Sequence, residues 1–107
     1  MASTKDYLEF VLEQLSGIES ISHREMIGEY ILYYQGKVFG GIYDNRFLVK
    51  PTASAKKLLP DAPLELPYEG AKEMLMIEDI ENKKLLKELL DSMLGELPAP
   101  KKKPQKH

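Results

Sequence analysis

The sequence predicts a small α+β domain built on an antiparallel sheet. Two observations carry this. The stretch Glu29–Pro51, EYILYYQGKVFGGIYDNRFLVKP, reads as three short strands joined by two tight turns, and apolar stripes at helical spacing flank it at both ends of the chain. With 107 residues and 43% hydrophobic composition, one such domain can bury a core without disulfides or a metal.

At the start of the chain, Ser3 or Thr4 is the expected N-cap and Asp6 falls in the first turn. Tyr7, Leu8, Val11, Leu12 and Leu15 then recur at helical spacing until Gly17 stops the helix. A first strand is placed over 21–27. The pairs Gln35-Gly36 and Asp44-Asn45 tolerate positive φ and are read as two-residue hairpin loops.

The register follows from those loops. Tyr33 faces Val38, Ile31 faces Gly40, Ile42 faces Phe47 and Gly40 faces Val49, which puts Ile31, Tyr33, Val38, Ile42, Phe47 and Val49 on one predicted core face. The opposite face carries Tyr30, Leu32, Tyr34, Lys37, Phe39, Tyr43, Arg46, Leu48 and Lys50, a mixture of aromatic and charged groups. From it, Tyr30, Tyr34, Phe39, Tyr43 and Leu48 form the candidate interaction surface, because aromatic side chains are enriched where proteins meet. A one-residue error in either loop would exchange the two faces. Gly40 and Gly41 in mid-strand predict a bulge or a close approach of backbone.

Beyond the meander, Thr52 caps a short helix over 53–59 that Pro60 helps to end. Pro60, Pro63 and Pro67 mark 60–70 as an extended loop, and the apolar run within 72–77 predicts a buried strand. The last helix has Asp79 near its start and an apolar stripe of Leu85, Leu86, Leu89, Leu90, Met93 and Leu94 leading to Gly95. The domain is therefore assigned to 1–96, followed by a basic Pro/Lys-rich tail, 97–107, expected to be disordered.

Few kinds of chemistry fit this composition. Lys101, Lys102, Lys103 and Lys106 lie in the tail; setting these four aside from 15 basic residues leaves 11 against 17 acidic ones, a body of net charge −6. An acidic body is a poor phosphate binder, so nucleic-acid contact is expected only weakly, through those four lysines. Cysteine is absent, which removes thiolate sites and fits a reducing cytoplasm. The N-terminus lacks the basic and apolar segments of a signal peptide, and no apolar run approaches the ~20 residues of a membrane span. The chain is accordingly expected to be cytoplasmic.

The two histidines, His23 and His107, cannot build a multi-histidine metal site. Ser22 and His23 are neighbours on a strand and point to opposite faces, so they do not form a dyad. Glu78, Asp79 and Glu81 are explained by helix capping and the helix dipole. The glycines form neither GxGxxG nor GxxxxGK[ST], so no nucleotide loop is present. No catalytic residue, cofactor or metal is expected.

The pattern HREMIGEYILYYQGKVFGGIYDNRFLVKP resembles the N-terminal domain of the TfoX/Sxy family of bacterial competence regulators. The family's features fall on Arg24, Met26, Gly28, Tyr33, Gly36, Lys37, Phe39, Asp44, Asn45 and Lys50, and the later helix, the loop with Pro67 and Tyr68, the strand and the final helix keep its order. Ile27, Glu29, Phe47 and Val49 depart from the usual residues, and the family's second, C-terminal domain has no counterpart here. The resemblance implies a two-layer fold with the N- and C-terminal helices on one face of the sheet. It also implies a non-enzymatic role in transcriptional control of DNA uptake, acting through a protein partner such as a cyclic-AMP receptor protein-like regulator, while the aromatic sheet face itself is open to a second copy of the chain, as a homodimer. Two alternatives stand beside it: direct nucleic-acid binding through the lysine tail and aromatic sheet face, and a small-ligand pocket between 60–70 and the sheet, near His23 or Tyr68.

Overall fold

The computed structural model describes residues 3–98. Helix α1 spans Lys5–Gln14 and is followed by β1 (Ile21–Met26), β2 (Glu29–Tyr34), β3 (Lys37–Ile42) and β4 (Phe47–Val49). Helix α2 (Ala53–Leu58), β5 (Leu64–Glu65), β6 (Met74–Met76) and α3 (Lys83–Leu94) complete the chain. The strands form one six-stranded sheet in the order β1-β2-β3-β4-β6-β5, with every neighbouring pair antiparallel. Leu8 and Val11 of α1, Leu15 at its C-cap, Ala55 of α2, and Leu86, Leu89, Leu90 and Met93 of α3 share one core with the sheet, so the α+β, two-layer expectation holds.

Local signals act where the residues place them. The Thr4 side chain accepts from the Tyr7 amide and Thr52 from Ala55, capping α1 and α2. Asn82 caps α3 instead of Asp79, accepting from the Leu85 amide, while Asp79 accepts from the Asn82 side-chain amide at 3.0 Å. The loops at Gln35-Gly36 and Asp44-Asn45 have the expected positive φ. A third such turn, Ile27-Gly28 with φ of 50° and 81°, ends β1 at Met26. Strand β5 lies inside the segment expected to be loop. Two residues carry no periodicity, and only pairing with β6 makes them a strand.

One bulge overturns the face assignment. Tyr33 pairs with Val38, Ile42 with Phe47 and Gly40 with Val49 as expected, but Ile31 pairs with Gly41, because the register shifts beyond Tyr33 and leaves Phe39 as the extra residue on β3. Tyr30, Leu32, Tyr34 and Phe39 consequently turn into the core, joining Ile42, Phe47 and Val49. Ile31, Tyr33 and Val38, predicted to be core, are only half-buried on the outer face. The glycines explain where the bulge falls: a Cβ on Gly40 would strike the Leu48 carbonyl oxygen and lie 2.9 Å from Val49 Cα. A Cβ on Gly41 would lie 2.6 Å from the Tyr30 carbonyl oxygen and from the Tyr43 ring.

The N-terminal residues are tied to the hairpin tips. Ser3 Oγ donates to Glu29 Oε1 at 2.6 Å and accepts from the Asn45 amide at 3.0 Å, while Glu29 also accepts from the Ser3 and Asp44 amides. Glu29, a departure from the family pattern, thus has a structural task. At the other end, Leu97 is buried in the core, so packing continues past the expected domain limit at residue 96. Lys101, Lys102, Lys103 and Lys106 lie outside the described residues, as does the rest of the predicted tail from residue 99.

Candidate interaction surface

The predicted contact residues are mostly interior. Phe39 and Leu48 are fully buried and Tyr30 and Tyr34 nearly so, which corrects their assignment to an exposed face; Tyr43 alone remains half-exposed. Beyond turning Tyr30, Tyr34 and Phe39 under the helices, the fold encloses Leu48 between Gly41 and Met76 on neighbouring strands.

Several exposed apolar side chains gather instead around the tip of the β1–β2 hairpin. Ile27, at the tip of the β1–β2 hairpin, is 95% exposed, Tyr68 is 63% exposed and Met26 is 49% exposed. With Glu29, Ile31 and Tyr43 they line a depression of ≈ 400 Å³. The Tyr43 and Tyr68 rings stand 6.2 Å apart at 55°, and burial, with Tyr68 and Glu29 adding, raises the Tyr43 pKa above its ordinary value.

Arg46 fixes the second wall. Its Nε donates to the Tyr43 carbonyl, Nη1 to Glu65 Oε1 and Nη2 to the Leu66 carbonyl, all at 3.0 Å, so the turn after β3 is fastened to the chain leading to Tyr68. Lys37, another cation of the predicted aromatic face, donates to the Leu94 carbonyl at the end of α3. Both cations serve the fold, which leaves the sheet a weaker platform for nucleic acid.

Strand β1 lies at the edge of the sheet, with no strand beyond it among the described residues. Ser20 accepts from the Gln35 amide, and the two-residue turn joins Met26 to Glu29, so hydrogen-bonded pairs alternate along the hairpin. The amides and carbonyls of Ile21, His23 and Glu25 therefore point away from β2. Beyond Ile21 every residue of β1 is exposed, including His23, whose ring meets Tyr30 edge-on at 6.2 Å.

The expected pocket between 60–70 and the sheet takes the form of an apolar hollow of ≈ 320 Å³ reached by Pro67, Tyr68, Val38 and Lys50. His23 is not among its lining residues. Among the described residues, no group of three His, Cys, Asp or Glu could hold a metal, and no helix is long and apolar enough to cross a membrane.

On the helical layer, the Tyr34 hydroxyl donates to Asp91 Oδ1 at 2.8 Å, and Lys87 reaches Asp91 Oδ2 at 3.4 Å. The Tyr34 hydrogen bond, with Lys87 adding, lowers the Asp91 pKa. The Ser54 amide and hydroxyl, at 3.0 and 2.7 Å, do the same for Glu96. Both carboxyls bind protons less tightly folded than unfolded, so their stabilisation is complete above the unfolded value near 4 and is lost as pH falls through the lowered folded values. Thermal melts between about pH 6 and about pH 2 should show this loss, and the pair Asp91→Asn, Glu96→Gln should flatten it.

Residues 13–91 match the TfoX N-terminal domain family. The chain is also 35% identical over 102 residues to the uncharacterised 12.7 kDa protein in the trpE 5′ region of Spirochaeta aurantia, covering 94% of this chain and 89% of that protein. No solved structure matches. The meander, its turn residues and a family match spanning the whole sheet together show that this chain belongs to the TfoX N-terminal domain family.

Proposed function

We propose that the chain is a non-enzymatic regulatory module that docks a partner protein through the tip and outer face of the β1–β2 hairpin. The observation that carries this reading is Ile27, a large apolar side chain held almost wholly in water beside Met26 and Tyr68 around a concave surface. Such a group at a hairpin tip adds nothing to the core, whereas inserted into a partner it becomes an anchor. The edge position of β1 supports a partner that adds an extended strand, since edge amides and carbonyls supply affinity and the depression supplies side-chain selectivity. Transcriptional control of DNA uptake, with a cyclic-AMP receptor protein-like regulator as partner, is the context that the family resemblance favours.

The test is pull-down with the wild type and an Ile27→Asp, Tyr68→Asp variant, alongside light scattering. Both positions are exposed, so the variant should melt within about 0.5 kcal/mol of wild type. A discrete partner, or a second copy of the chain, should be held by the wild type at low and high salt and be lost by the variant. Retention by the variant overturns this surface. Salt-sensitive capture of nucleic acid in place of protein favours the competing reading.

A further inference from the structure

Two basins on the outer face of the sheet share one wall. The depression beside Ile27 and the hollow of ≈ 320 Å³ next to Pro67 are both lined by Tyr43 and Tyr68, which makes the tyrosine pair a ridge between them. The bulge explains the second basin. Phe39 and Ile42 turn into the core and residues 40 and 41 are glycines, so β3 offers this face only bare backbone between Val38 and Tyr43. Pro67, Ala71 and Met74 stand across from it. Arg46, bonded to the Tyr43 and Leu66 carbonyls, holds the ridge ready in advance.

The basins differ in charge. Around the first, Met26 and Ile27 are apolar, and the Glu29 carboxylate is already engaged by Ser3 and the Asp44 amide. The second ends at Lys50, which follows β4, and Lys72, which precedes β6; neither makes an ion pair among the described residues. Glu73 lines the same hollow and is paired with neither lysine. Two cations against one acid leave a positive end on an otherwise acidic body.

We propose that the partner docked at the hairpin tip supplies an extended acidic segment that crosses the Tyr43–Tyr68 ridge, with an apolar side chain in each basin and Asp or Glu carboxylates on Lys50 and Lys72. This rests on the docking reading above and adds the chemistry of the occupant. An extended chain sends every second side chain to the same face, which suits anchors on either side of a narrow ridge. Complementary charge then fixes which end of the segment lies where.

Selection of random peptides displayed on phage against the immobilised full chain, followed by amide chemical-shift titration with a synthetic consensus peptide, tests it. Enriched sequences should join apolar residues to Asp or Glu, and the peptide should move the amides of Ile31, Val38, Gly40, Tyr43 and Lys72. Lys50→Glu with Lys72→Glu should weaken binding about tenfold, and should favour a copy of the peptide whose carboxylates are replaced by lysine. Lys72→Glu alone changes a fully exposed side chain and should weaken binding about threefold, a reading that does not depend on the half-buried Lys50. No enrichment, a basic or uncharged consensus, shifts confined to other surfaces, or equal binding by the lysine variants overturns the proposal. If Ile27→Asp, Tyr68→Asp loses the peptide while the lysine variants keep it, the docking surface stands and the acidic occupant falls; retention by all of them removes both.

Discussion

Replacing Gly40 by alanine is expected to destabilise the domain by about 3 kcal/mol or more, lowering its melting temperature by roughly 12–24 °C. The reason lies in the neighbours. The new methyl group would meet the carbonyl of Leu48 and the Cα of Val49, both backbone atoms of a strand held on its other side by β6. No rotamer change relieves such a contact. The strands must separate, and the pairs Gly40 with Val49 and Gly41 with Leu48 weaken with them. Gly17→Ala is the control, because nothing lies within 4 Å of its would-be Cβ and its φ is not positive. Chemical or thermal melts of the two variants should differ widely; equal stabilities would mean that β3 and β4 do not approach so closely.

Phe39→Ala should cost about 3–5 kcal/mol, and Val38→Ala about 1 kcal/mol or less. Phe39 is fully buried, with its ring edge-on to Phe47 at 6.4 Å, while Val38 lies half-buried on the other face. The ratio matters more than either value. A bulge-free β2–β3 hairpin reverses it, with Val38 inside and Phe39 in water. A denaturant titration of both variants therefore reads the register directly, and a costlier loss at Val38 would refute the bulge. The same geometry makes Phe39→Asp or Tyr34→Asp a test of folding rather than of partner binding, since either would place a charge among apolar groups.

Much of the fold was legible because its signals are local. Thr4, Thr52, Gln35-Gly36 and Asp44-Asn45 act through their own backbone neighbourhood, and hairpin pairing near a turn follows from loop length alone. Gly40 and Gly41 correctly announced a disturbance in β3. What they could not announce was its direction, because the bulge depends on β4 and Tyr43 crowding the two glycines from different sides. That one residue moved Tyr30, Tyr34 and Phe39 from candidate surface to core. Ile27 was visible only as a departure from a family pattern, and its exposure needed the turn geometry.

Ser3, finally, gives the first turn of the molecule authority over its far tips. Because Ser3 and Glu29 together hold the Asp44 and Asn45 amides, and the Ser3 amide donates to Gly28 at 3.0 Å, two loops remote in sequence share a single latch at the chain's beginning. Trimming or extending the amino end therefore acts at a distance, loosening the tip that displays Ile27 while leaving the core closed. A purification tag placed there would disturb the tip that displays Ile27.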